Sequence, residues 1–112
     1  MARTLTNLAN AHGALGEPRT QKEMLVRALK INEQHYGKEH YEVASTLTNL
    51  AIAHGLLGEP HTAKDMFERA LKIEEQHYGK EHYEVAITLS NLAKCGNNDQ
   101  KAEVMQLSLI HI

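Results

Sequence analysis

TLTNLANAHGALGEPRTQKEMLVRALKINEQHYGKEHYEVA, residues 4–44, is repeated as TLTNLAIAHGLLGEPHTAKDMFERALKIEEQHYGKEHYEVA, residues 46–86. The two stretches differ at 8 of 41 aligned positions, and equivalent residues are always 42 positions apart. A third copy begins as TLSNLAKCGN at residues 88–97 and then diverges. A fixed period of this length indicates stacked structural units, none of which buries its apolar face alone.

Each unit reads as two helices. The first half of the second copy has one buried stripe at i, i+3, i+4 and i+7 spacing: Leu47, Leu50, Ala51, His54 and Leu57. The second half has another apolar stripe: Ala63, Met66, Phe67, Ala70, Leu71 and Ile73. Gly58 is expected to end the first helix, and Pro60 to begin the next, where a missing N–H costs nothing. No run alternates with period two, so the prediction is an all-α chain of helical hairpins.

On these residues the unit resembles a tetratricopeptide repeat, in the lengthened 42-residue form of kinesin light chains. The second copy matches the repeat pattern at Leu47, Leu50, Ala51, Gly58, Ala63, Phe67 and Ala70, with His54 in place of a tyrosine. The first copy matches through Leu5, Leu8, Ala9, Gly16, Ala28 and Leu29, and departs at Gln21 and Leu25. The resemblance implies a right-handed superhelical solenoid of antiparallel hairpins. We expect a single domain over 1–112, with repeats at about 2–43 and 44–85 and a partial third repeat at 86–112.

The resemblance also implies that the first helix of each unit lies on a concave face that binds an extended peptide. The candidate peptide-binding residues are Asn7, Asn49, Asn91, Thr6, Thr48, Ile52, Leu56 and Lys94. An amide both donates and accepts, so one asparagine per unit would bond a peptide backbone without dictating its sequence. The alternative is that each amide bonds an adjacent helix or water. Ile52 and Leu56 would line an apolar pocket, whereas Lys94 would meet an acidic group or is ordinary surface.

The motif HYGKEHYEVA, at residues 35–44 and 77–86, contains histidines five residues apart. On a continuous helix that spacing leaves them about 140° apart, and zinc needs three or four ligands. We therefore predict no metal site within one chain; a site shared between chains is the remaining alternative. The motif is interpreted as a joint between hairpins, in which Gly37 ends one helix with a left-handed conformation and His40 caps the next. His12 and His54 are expected to be packing residues with one satisfied nitrogen.

No catalytic constellation stands out in the sequence. Phosphate loops, nucleophile elbows and zinc-protease motifs are not found. Cys95 has no partner near it in sequence that would lower its pKa, and the Glu74–Glu75 pair is assigned to a solvated helix face. We expect a protein that is not an enzyme and has no cofactor.

Charge and composition favour a protein or peptide as the partner. The chain has 12 Lys and Arg against 14 Asp and Glu, a net charge of −2 that is spread along the sequence. This distribution argues against nucleic acid or an anionic membrane as the partner. No apolar run approaches the roughly 20 residues that span a bilayer, and the N-terminus lacks a signal-peptide core. The single cysteine excludes an internal disulfide, so a cytoplasmic location is expected.

The C-terminal stretch CGNNDQKAEVMQLSLIHI, residues 95–112, does not follow the repeat. A helix capped by Asn97, Asn98 or Asp99 would carry an apolar end: Val104, Met105, Leu107, Leu109 and Ile110. Solenoids normally end in helices with a polar outer side. Two functions therefore remain open: a module that binds an extended peptide, or an assembly repeat that self-associates through its C-terminal edge.

Overall fold

The computed structural model describes residues 2–95 as five helices with no strand between them. The helices are α1 (Ala2–Ala14), α2 (Pro18–Tyr36), α3 (Tyr41–Leu56), α4 (Pro60–Tyr78) and α5 (Tyr83–Cys95). Short turns join α1 to α2 and α3 to α4, so each pair forms an antiparallel hairpin. The predicted fold class, an all-α helical repeat solenoid, is confirmed.

The turn inside each hairpin is built as the sequence predicts. Pro60 stands in the first turn of α4, where its missing N–H costs no hydrogen bond. Gly58, just after α3, has a φ of +77° that residues with a side chain rarely adopt. The Glu59 backbone N–H donates to the His54 carbonyl at 2.9 Å, which satisfies a group that the helix end leaves open.

α3 is the central helix of the described chain, because its buried side chains pack against both hairpins. Leu50 packs with Ala9 and Leu25 of the first hairpin. Ala51 packs with Phe67 of α4 and with Leu92 of α5. A third cluster joins the start of α3 to the end of α4 through Val43, Ala44, Leu47, Ala70 and Ile73. The helices are thus held as one stacked unit, in which helix α3 buries more residues than any other described helix.

The joint between hairpins has the predicted cap. His40 lies at the N-cap of α3, and its Nδ1 accepts a hydrogen bond from the Glu42 backbone N–H at 3.1 Å. Gly37 has a positive φ of +88°, but its ψ of 160° places it outside the left-handed helical region that the sequence suggested. Glycine alone adopts this extended, positive-φ conformation readily. The joint therefore depends on Gly37 more strongly than an ordinary helix end would.

The aromatic rings of the two joints form a single row of contacts, which we call the ring row. Its members are His35, Tyr36, His40, Tyr41, His77, Tyr78, His82 and Tyr83. Successive ring centroids lie 4.3–4.6 Å apart, at the lower limit of the range usual for aromatic pairs. The Tyr41 ring stacks on His77 at 4.3 Å and thereby links the first joint to the second. The repeated HYGKEHYEVA motif is therefore a structural device that couples consecutive hairpins.

Between residues 2 and 95, none of the helices is both long enough and apolar enough to cross a lipid bilayer.

Candidate functional site

Two clefts open between the first helices of neighbouring units. The N-terminal cleft has α1 and α3 as walls and α2 as floor, and its volume is about 740 Å³. The C-terminal cleft has α3 and α5 as walls and α4 as floor, and its volume is about 360 Å³. Many lining residues of the two clefts are 42 positions apart, such as Asn7 with Asn49 and Tyr36 with Tyr78. The clefts therefore occupy equivalent positions in consecutive repeats.

Four of the predicted site residues line these clefts. Thr6 and Asn7 lie in the N-terminal cleft, and Thr48 and Asn49 lie in the C-terminal cleft. The Thr6 hydroxyl donates to the Ala2 carbonyl at 2.9 Å, and the Thr48 hydroxyl makes the equivalent bond within α3 at 3.0 Å. Because both hydroxyl protons are used within their own helices, the asparagine amides are the better groups for binding a peptide backbone.

The other four predicted residues do not line either cleft. Ile52 and Leu56 point away from the buried stripe of α3, and Leu56 is 62% exposed. Asn91 is half-buried on α5, and Lys94 is exposed near its end. The predicted set is thus split between two clefts and the adjoining faces of α3 and α5.

The three asparagine amides take no part in the side-chain hydrogen bonds found within residues 2–95. Asn7 is exposed, whereas Asn49 and Asn91 are half-buried. Within this part of the chain, the alternative of an amide bonded to a neighbouring helix is not seen. Their donors and acceptors remain available on the surface that α1, α3 and α5 share.

A residue that the sequence analysis assigned to solvent forms the floor of the C-terminal cleft. Glu74 is only 5% exposed, so its assignment to a solvated helix face is wrong. The Thr88 hydroxyl donates to its carboxylate. At the equivalent floor of the N-terminal cleft, the Asn32 amide donates to Thr46 Oγ1 at 2.8 Å.

Burial raises the pKa of the Glu74 carboxyl, and the nearby Glu84 carboxylate raises it further. The hydrogen bond from Thr88 lowers the pKa; its effect is smaller than that of burial and larger than that of Glu84. Burial is also the main cause of the raised pKa of Tyr78, with Glu84 and Glu74 adding to it. The surroundings of the C-terminal cleft therefore disfavour the ionised forms of Glu74 and Tyr78.

The burial of Glu74 has a signal in the sequence. Ala63, Phe67, Ala70 and Glu74 are spaced by four, three and four residues, so all four lie on one helical stripe. In α2 the equivalent stripe is Gln21, Leu25, Ala28 and Asn32, and it is likewise buried. Helical periodicity alone places Glu74 on the buried stripe, whereas its charge led to the prediction that it faces solvent.

Of the two histidines inside the hairpins, His54 is buried as expected, whereas His12 is only half-buried. His54 is buried, and its Nδ1 lies 2.8 Å from Glu59 Oε1. This hydrogen bond lowers the pKa of the Glu59 carboxyl, and Lys22 adds a smaller effect. No group of three or more metal-ligating side chains comes together within residues 2–95.

Comparison with known proteins agrees with this architecture. The profile of the tetratricopeptide repeat family matches residues 1–76 of the 112. No curated protein sequence matches the chain closely enough to count as a relative. Among solved structures, the chain is similar to BtubC (BKLC) from P. vanneervenii, with a TM-score of 0.79 and 24% identity over 84% of this chain and 37% of that one.

The chain is also similar to a Podosopora anserina protein with nearly identical TPR-like repeats that is assigned as a kinesin light chain. The TM-score is 0.79 at 20% identity, over 91% of this chain and 48% of that one. A point variant of that protein gives a TM-score of 0.82 at 20% identity, over 93% and 51%. The chain thus spans about half, or less, of the length of these structures. At such identities the similarity establishes the fold alone.

Proposed function

The chain belongs to the tetratricopeptide repeat family, and on that premise we propose that it is an interaction module that binds an extended peptide on the face formed by α1, α3 and α5. Repeats of this family generally mediate protein–protein interaction or assembly, on a scaffold that is generally not enzymatic. The proposed partner is a protein or peptide of unidentified sequence.

The observation that carries this proposal is the row of asparagines Asn7, Asn49 and Asn91, one per unit. Each amide offers a donor pair and an acceptor to a peptide backbone. The equivalent placement of Asn7 and Asn49 in the two clefts suits a ligand whose backbone also repeats. Each such bond contributes about 0.5–1.5 kcal/mol net, so several bonds and apolar contacts have to act together.

Ile52 and Leu56 supply the apolar contacts in this proposal. Both are exposed on α3, at 38% and 62% respectively, beside the asparagine row. Lys94, exposed near the end of α5, would meet an acidic group of the same ligand. Burial of one such apolar side chain contributes up to about 1.5–3 kcal/mol, which would add to the backbone bonds.

The test is selection of binders from a random peptide library, followed by alanine substitution of the three asparagines. The triple variant is expected to lose the selected peptides while its thermal unfolding stays cooperative. The matched control is Gln34→Ala with Gln76→Ala, which removes two exposed amides on α2 and α4. Unchanged peptide affinity in the triple variant would show that the groove is assigned to the wrong face.

A second candidate function, assembly with another copy of the chain, is favoured by one observation. Leu50 is 1% exposed because the first hairpin covers it, whereas its repeat equivalent Leu8 is 46% exposed. The N-terminal edge therefore presents a surface that elsewhere in the chain packs against another repeat. The C-terminal edge on which the sequence hypothesis rested, with Leu107, Leu109 and Ile110, lies outside the described residues. The mass of a single chain at every concentration in sedimentation equilibrium would exclude this candidate.

The remaining parts of the proposal concern organisation and location. We propose one domain over 1–112, with repeats at about 2–43 and 44–85 and a partial repeat at 86–112. We also propose a cytoplasmic location and no nucleic-acid or membrane partner, on the basis of the interspersed charges and the single cysteine. Cell fractionation and a binding assay with duplex DNA and anionic vesicles test these points.

A further inference from the structure

The two clefts are formed by equivalent helices, but the buried side chains at their floors differ. Position 32 is asparagine and position 74 is glutamate, although both side chains are buried and both contact the equivalent threonine. The 42-residue repeat therefore provides an internal comparison between a neutral floor and an acidic one.

The neutral floor is held by a chain of two hydrogen bonds. The Asn32 amide donates to Thr46 Oγ1 at 2.8 Å, and the Thr46 hydroxyl donates to the Glu42 carbonyl at 3.2 Å. Each acceptor in this chain of bonds has its own proton. The floor of the N-terminal cleft thus carries no ionisable side chain.

At the acidic floor, the Thr88 hydroxyl is the one side-chain donor that bonds Glu74 within residues 2–95. The Thr88 hydroxyl contacts the Glu74 carboxylate and also lies 3.2 Å from the Glu84 carbonyl oxygen. A hydroxyl has one proton and satisfies only one of these two acceptors. The Glu84 carbonyl already accepts the backbone N–H of Thr88 within α5, so the hydroxyl proton is free to go to Glu74. An ionised carboxylate accepts several hydrogen bonds, so Glu74 is either protonated or able to accept a further donor from the cleft.

The surroundings of Glu74 specify the kind of donor that fits. Glu42 of α3 and Glu84 of α5 also line the C-terminal cleft, and no Lys or Arg is among its described lining residues. In the N-terminal cleft, by contrast, Arg3 accompanies Glu42. The groups that face Glu74 are acidic or neutral, apart from His82 at the nearby joint. A neutral donor would leave this negative charge in place, whereas a cation would neutralise it.

We infer that the C-terminal cleft binds a lysine or arginine side chain of the partner peptide, with the ionised Glu74 carboxylate as its counter-ion. The inference rests on the proposed function and adds a specificity to it. The ammonium or guanidinium supplies this further donor, and Glu74 releases its proton to solvent as the cation binds. Asn7, Asn49 and Asn91 would bind the backbone of the peptide. Glu74 would determine which peptide side chain is accepted over α4.

The test uses a blocked peptide, acetyl-GSGKGSG-amide, and its counterpart with norleucine in place of lysine. Both are titrated into the full chain, and dissociation constants are read from backbone amide shifts by NMR. The wild-type chain is expected to bind the lysine peptide at least about tenfold more tightly than the norleucine peptide, the usual effect of one charge-assisted hydrogen bond. The ratio is expected to rise with pH as Glu74, whose pKa burial raises, becomes ionised.

Two variants make the test specific to Glu74. Glu74→Asn copies the floor of the N-terminal cleft, and Glu74→Gln keeps the shape of the side chain if the first variant folds poorly. Both are expected to bind the two peptides equally and without dependence on pH, although Glu42, Glu84, His82, Tyr41 and Tyr78 are all retained. Alanine substitution of Asn7, Asn49 and Asn91 should weaken both peptides and leave their ratio unchanged.

Three results would overturn the inference: no binding of the lysine peptide, equal binding of the two peptides by the wild-type chain, or a lysine preference that survives in the Glu74 variants. A lysine preference that depends on Glu74 but is accompanied by no effect of the asparagine substitutions would instead reject the proposed groove. The failure of the inference is thus distinguishable from the failure of the proposed function.

Discussion

Individual side chains set the differences between two otherwise nearly identical repeats. Glu74 and its equivalent Asn32 occupy the same buried position, but only Glu74 is ionisable. Gln21 and its equivalent Ala63 differ in size, and the larger side chain fills space next to Gly13. In each pair, one repeat can be given the residue of the other, and the effect on stability can then be measured.

Glu74→Asn is expected to stabilise the fold at neutral pH. The pKa of Glu74 is raised in the folded state, so the folded chain holds its proton to higher pH than the unfolded chain does. Stability is therefore lost as pH rises from the ordinary glutamate value towards the raised one, and the loss is complete above it. In urea unfolding, the free energy of unfolding of the variant should exceed that of the wild type at pH 7. This difference should become smaller below pH 4.5, the ordinary pKa of glutamate.

The control for this measurement is Glu75→Asn, one residue further along α4. It carries the same cost in helix propensity, about half a kcal/mol, without removing the buried charge. If both variants respond alike to pH, the burial of Glu74 has no energetic consequence.

Gly55→Ala is expected to raise the free energy of unfolding by about 0.5–1 kcal/mol, since alanine is the better helix former. A Cβ at Gly55 would meet nothing within 4 Å. At Gly13, in contrast, it would lie 2.6 Å from the Gln21 side chain, which is buried. Gly13→Ala should therefore bring no gain in urea unfolding until Gln21→Ala is added. Equal gains at both glycines would contradict this packing.

Helices and joints depend on the repeated motif HYGKEHYEVA, which holds consecutive hairpins together. Gly37 ends α2 in a conformation that glycine alone adopts readily, and His40 caps α3. The ring row then extends the contact from one joint to the next. Joint rigidity in this chain comes from stacked rings as well as from caps.

Tyr41→Ala should destabilise the chain by about 1–2 kcal/mol more than Tyr83→Ala. The Tyr41 ring contacts His40, His77 and Tyr78, and each good aromatic pair contributes about 0.5–1.5 kcal/mol beyond burial. Tyr83 occupies the same position of the motif, but it is 66% exposed and contacts only His82 within the ring row. Thermal or urea unfolding of the two variants gives the comparison. Equal losses would mean that the ring row does not couple the joints.

Gly37→Ala is expected to cost about 1–3 kcal/mol, because a side chain is strained at φ +88° and ψ 160°. No neighbouring atom would obstruct the added methyl group, so backbone strain is the only cost. Lys38→Ala, at the next exposed position, should have little effect and serves as the control. A neutral Gly37→Ala variant in urea unfolding would show that the joint relaxes freely.

For the chain as a whole, the sequence was sufficient to predict the helical hairpins, the turn glycines and prolines, and the cap at His40. These features follow from a 42-residue period and from local chemistry, both of which are readable along the chain. The ring row was not predictable, because the contact between Tyr41 and His77 joins residues 36 positions apart and depends on how hairpins stack. The clefts depend on the same stacking, so the floor position of Glu74 emerged only with the packed helices.

The placement of the peptide on α1, α3 and α5 is most directly tested with the side-chain amide resonances of the chain. A peptide selected from the random library is titrated into uniformly ¹⁵N-labelled protein, and the NH₂ groups of asparagine and glutamine are followed by NMR. The largest shifts are expected at Asn7, Asn49 and Asn91, with Gln34 and Gln76 unaffected. The reverse pattern, with shifts at Gln34 and Gln76 and none at the three asparagines, would contradict the proposed binding face.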